Sequence, residues 1–317
     1  MDFPQLTEIQ RLERLTPPSG KVEMVLDTDT YNEVDDQFAV VHALLSPDAI
    51  QVKGLYAAPF HNARSDGPAD GMEKSYQELL RLLDRLNVEY DGPVLRGSTR
   101  YLSEWDDPCE SDAASDLIAQ AMARSEDDDP LYVVAIGAIT NVASAILMEP
   151  EIIKRIVVVW LGGHAFHWAH TREFNLWQDP QAARVIFDSG VPVVQIQVMG
   201  ACSHLHTTIP EIERYVQGRG AIGDYLAETV KGYHEDHFAW SKVIWDISAI
   251  AYLIDASWTP NHLVHSPIVT DQGTWSFDNN RHLIRTVYHV NRDAIFGDVF
   301  TKLDEHAKSY HPSSSQP

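Results

Sequence analysis

The sequence predicts a single α/β domain with a doubly wound, mostly parallel β-sheet that carries helices on both faces. Two observations support this fold class. Apolar runs such as 131–136 (LYVVAI) and 156–163 (IVVVWLGG) show no polar alternation, as expected of strands that are covered on both faces. Helical patterns separate these runs, and such alternation of strands and helices is typical of a parallel sheet with crossover helices.

The first half of the chain alternates strands and helices. In the helix after the first strand, Val34, Phe38 and Val41 share one apolar face, and in the next helix the leucines between positions 79 and 86 do the same. The predicted elements are strands at 22–26, 50–57 and 93–95, and helices at about 34–46, 71–86 and 111–124.

The second half continues this alternation and then changes. Strands are predicted at 131–136, 156–163 and 191–200, and helices at about 140–148, 179–190 and 291–307. Asp179-Pro180 is a favourable helix start, and Gly190 is a favourable helix end. The segment 274–290 has two β-rich arms around Asp278-Asn279-Asn280, which predicts an antiparallel C-terminal hairpin. No linker divides the chain, so we expect one domain over residues 1–310 and a disordered tail at 311–317.

Charge and cysteine content argue against several classes of protein. The 317 residues carry a formal net charge of −22, which would repel nucleic-acid phosphates and anionic membranes. No apolar run approaches the roughly 20 residues that a membrane helix needs, and the N-terminus does not resemble a signal peptide. Cys109 and Cys202 form no disulfide framework. We therefore expect a cytoplasmic protein without nucleic-acid or membrane partners.

Acidic side chains crowd the segment DTDTYNEVDD, where the first strand turns into a helix. Ligands of open α/β sheets bind beyond the carboxyl ends of the strands, where this segment is expected to lie. One interpretation is that Asp35 caps the helix, because a helix N-terminus favours nearby carboxylates, and that the others are solvated. Converging carboxylates raise one another's pKa unless a cation neutralises them, so the other interpretation is a bound Ca²⁺ or Mg²⁺. The acidic residues are Asp27, Asp29, Glu33, Asp35 and Asp36.

Two enzyme families begin with an aspartate pair after a first strand. Asp27-Thr28-Asp29-Thr30 is similar to the D-x-D-x-[T/V] motif of the haloacid-dehalogenase-like phosphatases, in which the first aspartate attacks phosphorus beside Mg²⁺. Tyr31 stands where that motif has Thr or Val, and Asp35 and Asp36 have no role in it.

The chain more closely resembles the inosine–uridine-preferring nucleoside hydrolases, Ca²⁺-dependent enzymes whose opening motif is D-x-D-x-x-x-D-D. Three further segments are similar to motifs of that family, and they occur in the same order. They are 133–146 (VVAIGAITNVASAI), 172–187 (REFNLWQDPQAARVIF) and 245–253 (WDISAIAYL). The resemblance spans residues 22 to about 255 and implies hydrolysis of a ribonucleoside to free base and ribose.

The resemblance implies a Ca²⁺ site and a catalytic base. Asp29, Asp36 and Asp246 would give carboxylates to the ion, and Thr140 would give its main-chain carbonyl oxygen. Asp29 would also deprotonate a Ca²⁺-bound water that attacks as the N-glycosidic bond breaks through an oxocarbenium-like transition state. Asp27 would lie behind these ligands and help to hold them in position.

The resemblance also implies contacts to the sugar. Asp35 would bind a ribose hydroxyl, and Glu173 and Asn175 would reach the 5′ and 3′ hydroxyls. Asn62 follows the second strand where the family often has an asparagine that faces the sugar. His167 stands where the family has a further ribose-binding asparagine, six residues before the glutamate.

The sequence departs from the family pattern at two places. The segment between Asp29 and Asp35 is two residues longer and lacks the usual glycine, so its path must differ, and Glu33 could approach the ribose or the metal. Trp245 replaces a histidine that protonates the leaving base. A tryptophan has no proton to give at neutral pH but stacks on a base, which slightly favours purine nucleosides. His170 is, with His167, a candidate acid for the leaving base.

Three hypotheses remain open at this level. The first is a Ca²⁺-dependent ribonucleoside hydrolase of purine salvage, which the family implies to be a homodimer or homotetramer. The second is a Mg²⁺-dependent phosphohydrolase with Asp27 as nucleophile. The third is a catalytically silent nucleoside-binding relative, because the opening loop is altered and the usual asparagine and histidine are absent. Against the third hypothesis, the chain retains six residues of the family's site: Asp29, Asp36, Thr140, Asp246, Glu173 and Asn175.

Overall fold

The computed structural model describes residues 3–310, in which strands and helices alternate along most of the chain. The strands are β1 (Val22–Thr28), β2 (Ile50–Ala57), β3 (Val94–Arg96), β4 (Leu131–Ala135), β5 (Ile156–Leu161), β6 (Val193–Ile196), β7 (His206–Thr208), β8 (Ser241–Val243), β9 (Asn261–His265), β10 (Ile268–Val269), β11 (Trp275–Ser276) and β12 (Leu283–Val287). The α-helices are α1 (Glu8–Arg14), α2 (Asp35–Leu44), α3 (Pro68–Leu86), α4 (Asp112–Met122), α5 (Thr140–Met148), α6 (Phe174–Gln178), α7 (Pro180–Asp188), α8 (Ile209–Tyr215), α9 (Gly220–Gly232), α10 (Ile247–Ile254) and α11 (Arg292–Tyr310). Short 3-10 helices lie at Pro150–Lys154 and Ala256–Trp258.

A central sheet of eight strands has the order β3-β2-β1-β4-β5-β6-β12-β9. Its neighbouring strands are parallel except for β12 and β9, which are antiparallel. The chain order reverses at β1, which lies between β2 and β4, and ligands of such sheets bind in the crevice at this reversal. The predicted single-domain, doubly wound and mostly parallel sheet is confirmed.

Both faces of the sheet are buried. Met24 and Leu26 of β1 belong to one apolar cluster, whereas Val25 belongs to the cluster on the opposite face. In β4, Val134 and Val133 divide between the two clusters in the same way. Burial of such a side chain stabilises the folded state by roughly 1.5–3 kcal/mol. The sheet therefore positions the loops at its carboxyl edge.

The antiparallel pairing predicted near the C-terminus is present, but between other partners. β12 pairs with β9 in the central sheet, and β11 pairs with β10 in a separate two-stranded sheet. Asp278 does make the expected turn, since its Oδ1 accepts a hydrogen bond from the Asn280 N–H at 2.9 Å. The arms predicted to pair with each other therefore enter different sheets, because a β-rich pattern predicts a strand but not its neighbour.

The strand predicted at 191–200 ends earlier than expected. β6 stops at Ile196, and an irregular turn follows at Val198–Cys202. Within this turn Gly200 has φ +103°, and a Cβ atom there would lie 2.6 Å from the Cβ of Ala165. Only glycine fits this close approach, which brings the turn against the loop after β5.

Three further observations concern the limits of the fold. Helices α1, α6, α8, α9 and α10 had no sequence prediction. No helix within residues 3–310 combines the length and apolar character that crossing a membrane requires. The tail predicted at 311–317 lies outside the described residues.

Candidate active site

A cavity of about 330 Å³ opens at the carboxyl edge of the sheet, where the chain order reverses. Its wall combines acidic and amide side chains with an apolar surface. The polar lining residues are Asp29, Asn32, Glu33, Asp35, Asp36, Asn62, His164, Glu173, Asn175 and Asp246. The apolar lining residues are Ile136, Leu161, Phe174, Val198, Met199 and Trp245.

Three carboxylates converge on this cavity. Oxygen atoms of Asp35, Asp36 and Asp246 all lie within 4.8 Å of one another, and all three side chains are buried. Asp35 and Asp36 begin α2, and Asp246 precedes α10, so the positive ends of two helix dipoles partly offset the charge. The Thr28 hydroxyl donates a hydrogen bond of 2.5 Å to Asp36. Sequence-distant residues thus meet in one acidic cluster.

Burial makes the ionised forms of these carboxylates costly. Desolvation, with repulsion from Asp36 and Asp35, raises the pKa of Asp29 well above its usual value. Desolvation likewise raises the pKa of Asp35 and Asp246, and it raises the pKa of Asp36 to about 7. Both Asp29 oxygens and Asp35 Oδ1 lack a hydrogen-bond partner among the residues described. Unpartnered buried carboxylate oxygens need a compensating cation or a proton.

The donor set fits a hard divalent cation. Oxygen ligands lie about 2.3–2.6 Å from Ca²⁺, so oxygens that surround one ion lie within about 5 Å of each other. The spacing of the three grouped carboxylates meets this limit. The group contains Asp35, for which a ribose contact was predicted. Asp29, which was predicted as a metal ligand, is not in the group but lines the same cavity.

The loop between β4 and α5 packs against Asp29. A Cβ atom at Gly137 would lie 3.1 Å from the Asp29 Cγ, so only glycine allows this contact without displacement. Thr140 begins α5 and does not line the cavity. Its hydroxyl donates to Asp179 Oδ2 at 2.7 Å, and Asp179 also accepts from the Ala182 N–H at the start of α7. The Thr140 side chain therefore joins two helix starts, and its carbonyl oxygen stays a predicted ligand.

Asp27 lies behind the site. It is fully buried in β1, and its Oδ1 accepts a hydrogen bond of 2.7 Å from Asn141 Nδ2. Burial raises the pKa of Asp27 to about 7. Asp27 does not line the cavity, so it is not placed to attack a substrate there as the phosphohydrolase hypothesis required.

Glu173 and Asn175, which were predicted to contact the sugar, both line the cavity. Glu173 caps α6 and accepts hydrogen bonds from the backbone N–H groups of Gly163 (2.9 Å) and Asn175 (2.8 Å). The Asn175 amide donates to the carbonyls of Ile136 and Leu161, both at 3.0 Å, and its Oδ1 accepts no hydrogen bond from residues 3–310. Both side chains are thus held by backbone at the ends of β4 and β5.

The other predicted substrate residues have different outcomes. Asn62 and Trp245 line the cavity, and Asn62 Nδ2 donates a 2.5 Å hydrogen bond to Asn32 Oδ1. His167 is exposed and does not line the cavity, so the structure does not place it at the site. His164, three residues earlier, lines it instead.

The lengthened opening loop is held by residues that the sequence analysis missed. Glu33 accepts a hydrogen bond of 2.8 Å from the Tyr233 hydroxyl and forms an ion pair with Lys242 in β8. The Lys242 ammonium also lies 4.3 Å from the centre of the Tyr233 ring. No residue between Thr30 and Val34 has positive φ, so the loop takes a path that needs no glycine. The only sequence signal for this contact is one lysine four positions before Asp246.

Comparisons with known proteins identify the family of the chain. The model of the family described as inosine-uridine preferring nucleoside hydrolase matches residues 24–297. A pyrimidine-specific ribonucleoside hydrolase, RihA, from Klebsiella pneumoniae (strain 342) is 31% identical over 241 residues, which are 67% of this chain and 72% of the relative.

Solved structures share the fold at lower identity. A purine-preferring ribonucleoside hydrolase from Gardnerella vaginalis superposes with a TM-score of 0.73 at 21% identity, over 90% of this chain and 99% of that chain. An inosine-uridine preferring nucleoside hydrolase from Bacillus anthracis gives a TM-score of 0.68 at 16% identity, over 90% and 98% of the two chains. The chain therefore belongs to the inosine-uridine preferring nucleoside hydrolase family and is a hydrolase of ribonucleoside N-glycosidic bonds.

Proposed function

We propose that this hydrolase requires Ca²⁺, slightly prefers purine nucleosides and uses Asp29 as its general base. One observation carries the proposal. Four buried aspartates, three of them grouped within 4.8 Å, line a cavity whose wall also bears Glu173 and Asn175. This arrangement suits a cation at one end and a polar sugar beside it.

We assign the cation to the acidic cluster. Asp36, Asp246 and Asp29 would hold it together with the main-chain carbonyl of Thr140, and Asp35 lies next to them. Ca²⁺ accepts six to eight oxygen ligands in flexible geometry, whereas Mg²⁺ requires a strict octahedron, so a crowded carboxylate set favours Ca²⁺. When bound, such an ion orients the ribose hydroxyls and lowers the pKa of water.

Asp29 is well placed to accept a proton. Both of its oxygens lack a hydrogen-bond partner among the described residues, and it faces the cavity. A general base of this kind contributes typically ~10²–10⁴-fold to the rate. Deprotonation of the attacking water would occur as the bond between ribose and base breaks.

The remaining polar residues would hold the sugar and stabilise its charge. As the N-glycosidic bond breaks, positive charge develops on the ribosyl ring. Asp35 and Glu173 would accept hydrogen bonds from ribose hydroxyls, and Asn175 offers its free Oδ1. Asn62 would contact the sugar from the loop after β2.

Trp245 supports the purine preference. Stacking of a base on an aromatic side chain is worth about 1–3 kcal/mol, and a two-ring base offers the larger face. Relatives of the chain include a pyrimidine-specific enzyme and a purine-preferring enzyme, so the preference rests on Trp245.

A nucleoside panel tests this function. Purified protein is incubated with inosine, guanosine, uridine and cytidine, with Ca²⁺ or with EDTA, and ribose and free base are measured. We expect ribose release that EDTA abolishes and Ca²⁺ restores, with a higher kcat/KM for inosine than for uridine. Activity that persists after complete metal removal would overturn the Ca²⁺ assignment, and a higher value for uridine would overturn the base preference.

A separate pair of variants tests the assignment of Asp29 as the general base. Asp29→Asn should lower kcat by at least ~10²-fold, whereas Asp70→Asn, the same change at a solvent-exposed aspartate of α3, should leave it unchanged. Near-normal kcat in Asp29→Asn would remove Asp29 from the mechanism.

We also propose a cytoplasmic homodimer or homotetramer that serves purine salvage and has one domain over residues 1–310. Cys109 and Cys202 are both free and buried, as is usual in a reducing compartment. Large aromatic side chains such as Phe238 (90% exposed) and Phe277 (51% exposed) offer apolar contact surface for a second copy. Light scattering coupled to size exclusion measures the assembly, and a monomer at micromolar concentration would contradict it.

A further inference from the structure

His164 lines the cavity although the family motifs do not include it. Its side chain is only 9% exposed, and it lies in the loop between β5 and α6. The loop is fastened on both sides of the residue. The His164 main-chain N–H donates to Thr171 Oγ1 at 3.2 Å, and its carbonyl accepts from Trp275 Nε1 of β11 at 2.9 Å.

The imidazole has a defined orientation. Its Nδ1 accepts a hydrogen bond from the Met199 N–H at 3.4 Å, so the proton of the neutral ring is on Nε2. Burial, followed by repulsion from His170, lowers the pKa of His164 to about 4, so the ring is neutral at physiological pH. His164 is therefore an uncharged donor whose Nε2–H makes no hydrogen bond within residues 3–310.

His164 and Glu173 belong to one wall of the cavity. The N–H of Gly163, the residue before His164, donates to Glu173 Oε2 at 2.9 Å. Glu173 is a hydrogen-bond acceptor and His164 is a donor. A hydroxyl group is the ligand that satisfies both, because it donates one hydrogen bond and accepts another.

We propose that His164 donates its Nε2–H to the 5′-oxygen of the ribose while Glu173 accepts the proton of that hydroxyl. This inference rests on the proposed function, which assigns Glu173 to the 5′ end of the sugar. His164 thus fills the position that was predicted for His167, and it selects nucleosides that carry a 5′-hydroxyl. Loss of one such bond costs up to about tenfold in kcat/KM, which corresponds to about 1.4 kcal/mol and lies in the upper part of the range typical of one hydrogen bond.

Two substitutions distinguish the role of the His164 Nε2–H donor from that of the contact between its Nδ1 and the Met199 N–H. His164→Asn retains an acceptor near the Nδ1 position for the Met199 N–H but lacks a donor that reaches the cavity. His164→Gln places an amide N–H near the Nε2 position. His262→Asn makes the same change on β9, at a histidine that does not line the cavity, and serves as the matched control.

Each protein is assayed with inosine and with 5′-deoxyinosine, which lacks the 5′-oxygen. We expect His164→Asn to lose about tenfold in kcat/KM for inosine and little for 5′-deoxyinosine, and His164→Gln to retain most of the discrimination. Equal losses on both substrates, or equal behaviour of the two variants, would overturn the role of His164 alone. Failure of the unsubstituted protein to hydrolyse either nucleoside would instead overturn the proposed function and this inference with it.

Discussion

Burial sets the protonation of individual residues in this protein in two opposite directions. It lowers the pKa of His164 to about 4 and that of His282 to about 3, so both imidazoles stay neutral. It raises the pKa of Asp27 and Asp36 to about 7, so a large share of these carboxylates holds a proton at neutral pH when no cation is near. In each case the low-polarity surroundings disfavour the charged form.

His282 gives a prediction for the pH dependence of stability. Burial and the nearby positive charges of Arg11 and Arg281 keep the pKa of His282 near 3 in the folded protein, against about 6.5 in an unfolded chain. The unfolded state therefore binds more protons between these values, and the free energy of unfolding should fall as pH falls from about 6.5 towards 3.

Comparison with His282→Gln isolates this effect, because the carboxylates titrate alike in both proteins. The difference in free energy of unfolding between the unsubstituted protein and the variant, measured by urea titration, should shift in favour of the variant as the pH falls. A difference that does not vary with pH would show that the pKa of His282 is not lowered in the folded protein.

At the scale of elements, the loop between β1 and α2 is attached to β8 and to the end of α9. Glu33 of this loop contacts Lys242 of β8 and Tyr233, which follows α9. Asp246, three residues after β8, belongs to the acidic cluster that also contains Asp35. The contact of Glu33 with Lys242 therefore ties together the two segments that supply the cluster.

A double-mutant cycle with Glu33→Gln and Lys242→Met tests this attachment. The Lys242 side chain is 9% exposed and that of Glu33 is 33% exposed, so the loss of Lys242 leaves a partly desolvated carboxylate. We expect Lys242→Met to cost roughly 1–3 kcal/mol, below the 3–5 kcal/mol of a fully buried pair. The cost should be smaller in the Glu33→Gln background.

The exposed pair Lys74 and Asp70 on α3 provides the control for that cycle, and no measurable coupling is expected there. Urea unfolding measures all four proteins. Additive effects of the two substitutions at Glu33 and Lys242 would mean that the pair does not hold the loop.

For the whole molecule, negative charge works against the compact state. The net charge is −22. In the acidic cluster the buried carboxylates also repel one another, and this repulsion is screened less than that between exposed charges. A cation that binds only the folded protein stabilises it by mass action, by about 2.7 kcal/mol at 100 times its Kd. The fold and the proposed metal site are therefore coupled.

Thermal unfolding with and without Ca²⁺ measures this coupling. At saturating Ca²⁺ the Tm should rise by roughly 4 °C relative to protein in EDTA, given the size of the chain. KCl at equal ionic strength controls for screening of the net charge. Asp246→Asn should lose most of the increase, and an equal increase in that variant would place Ca²⁺ elsewhere.

The sequence by itself determined the alternation of strands and helices, the doubly wound sheet and the presence of an acidic cluster after the first strand. These features depend on local periodicity and on motifs whose residues lie close together in the chain, such as Asp35-Asp36 and Glu173–Asn175. Only the tertiary structure decided that His164 rather than His167 lines the cavity, that Lys242 holds Glu33, and that β12 pairs with β9. These outcomes depend on the paths of loops and on contacts between distant segments, where a shift of three residues changes which side chain reaches the site.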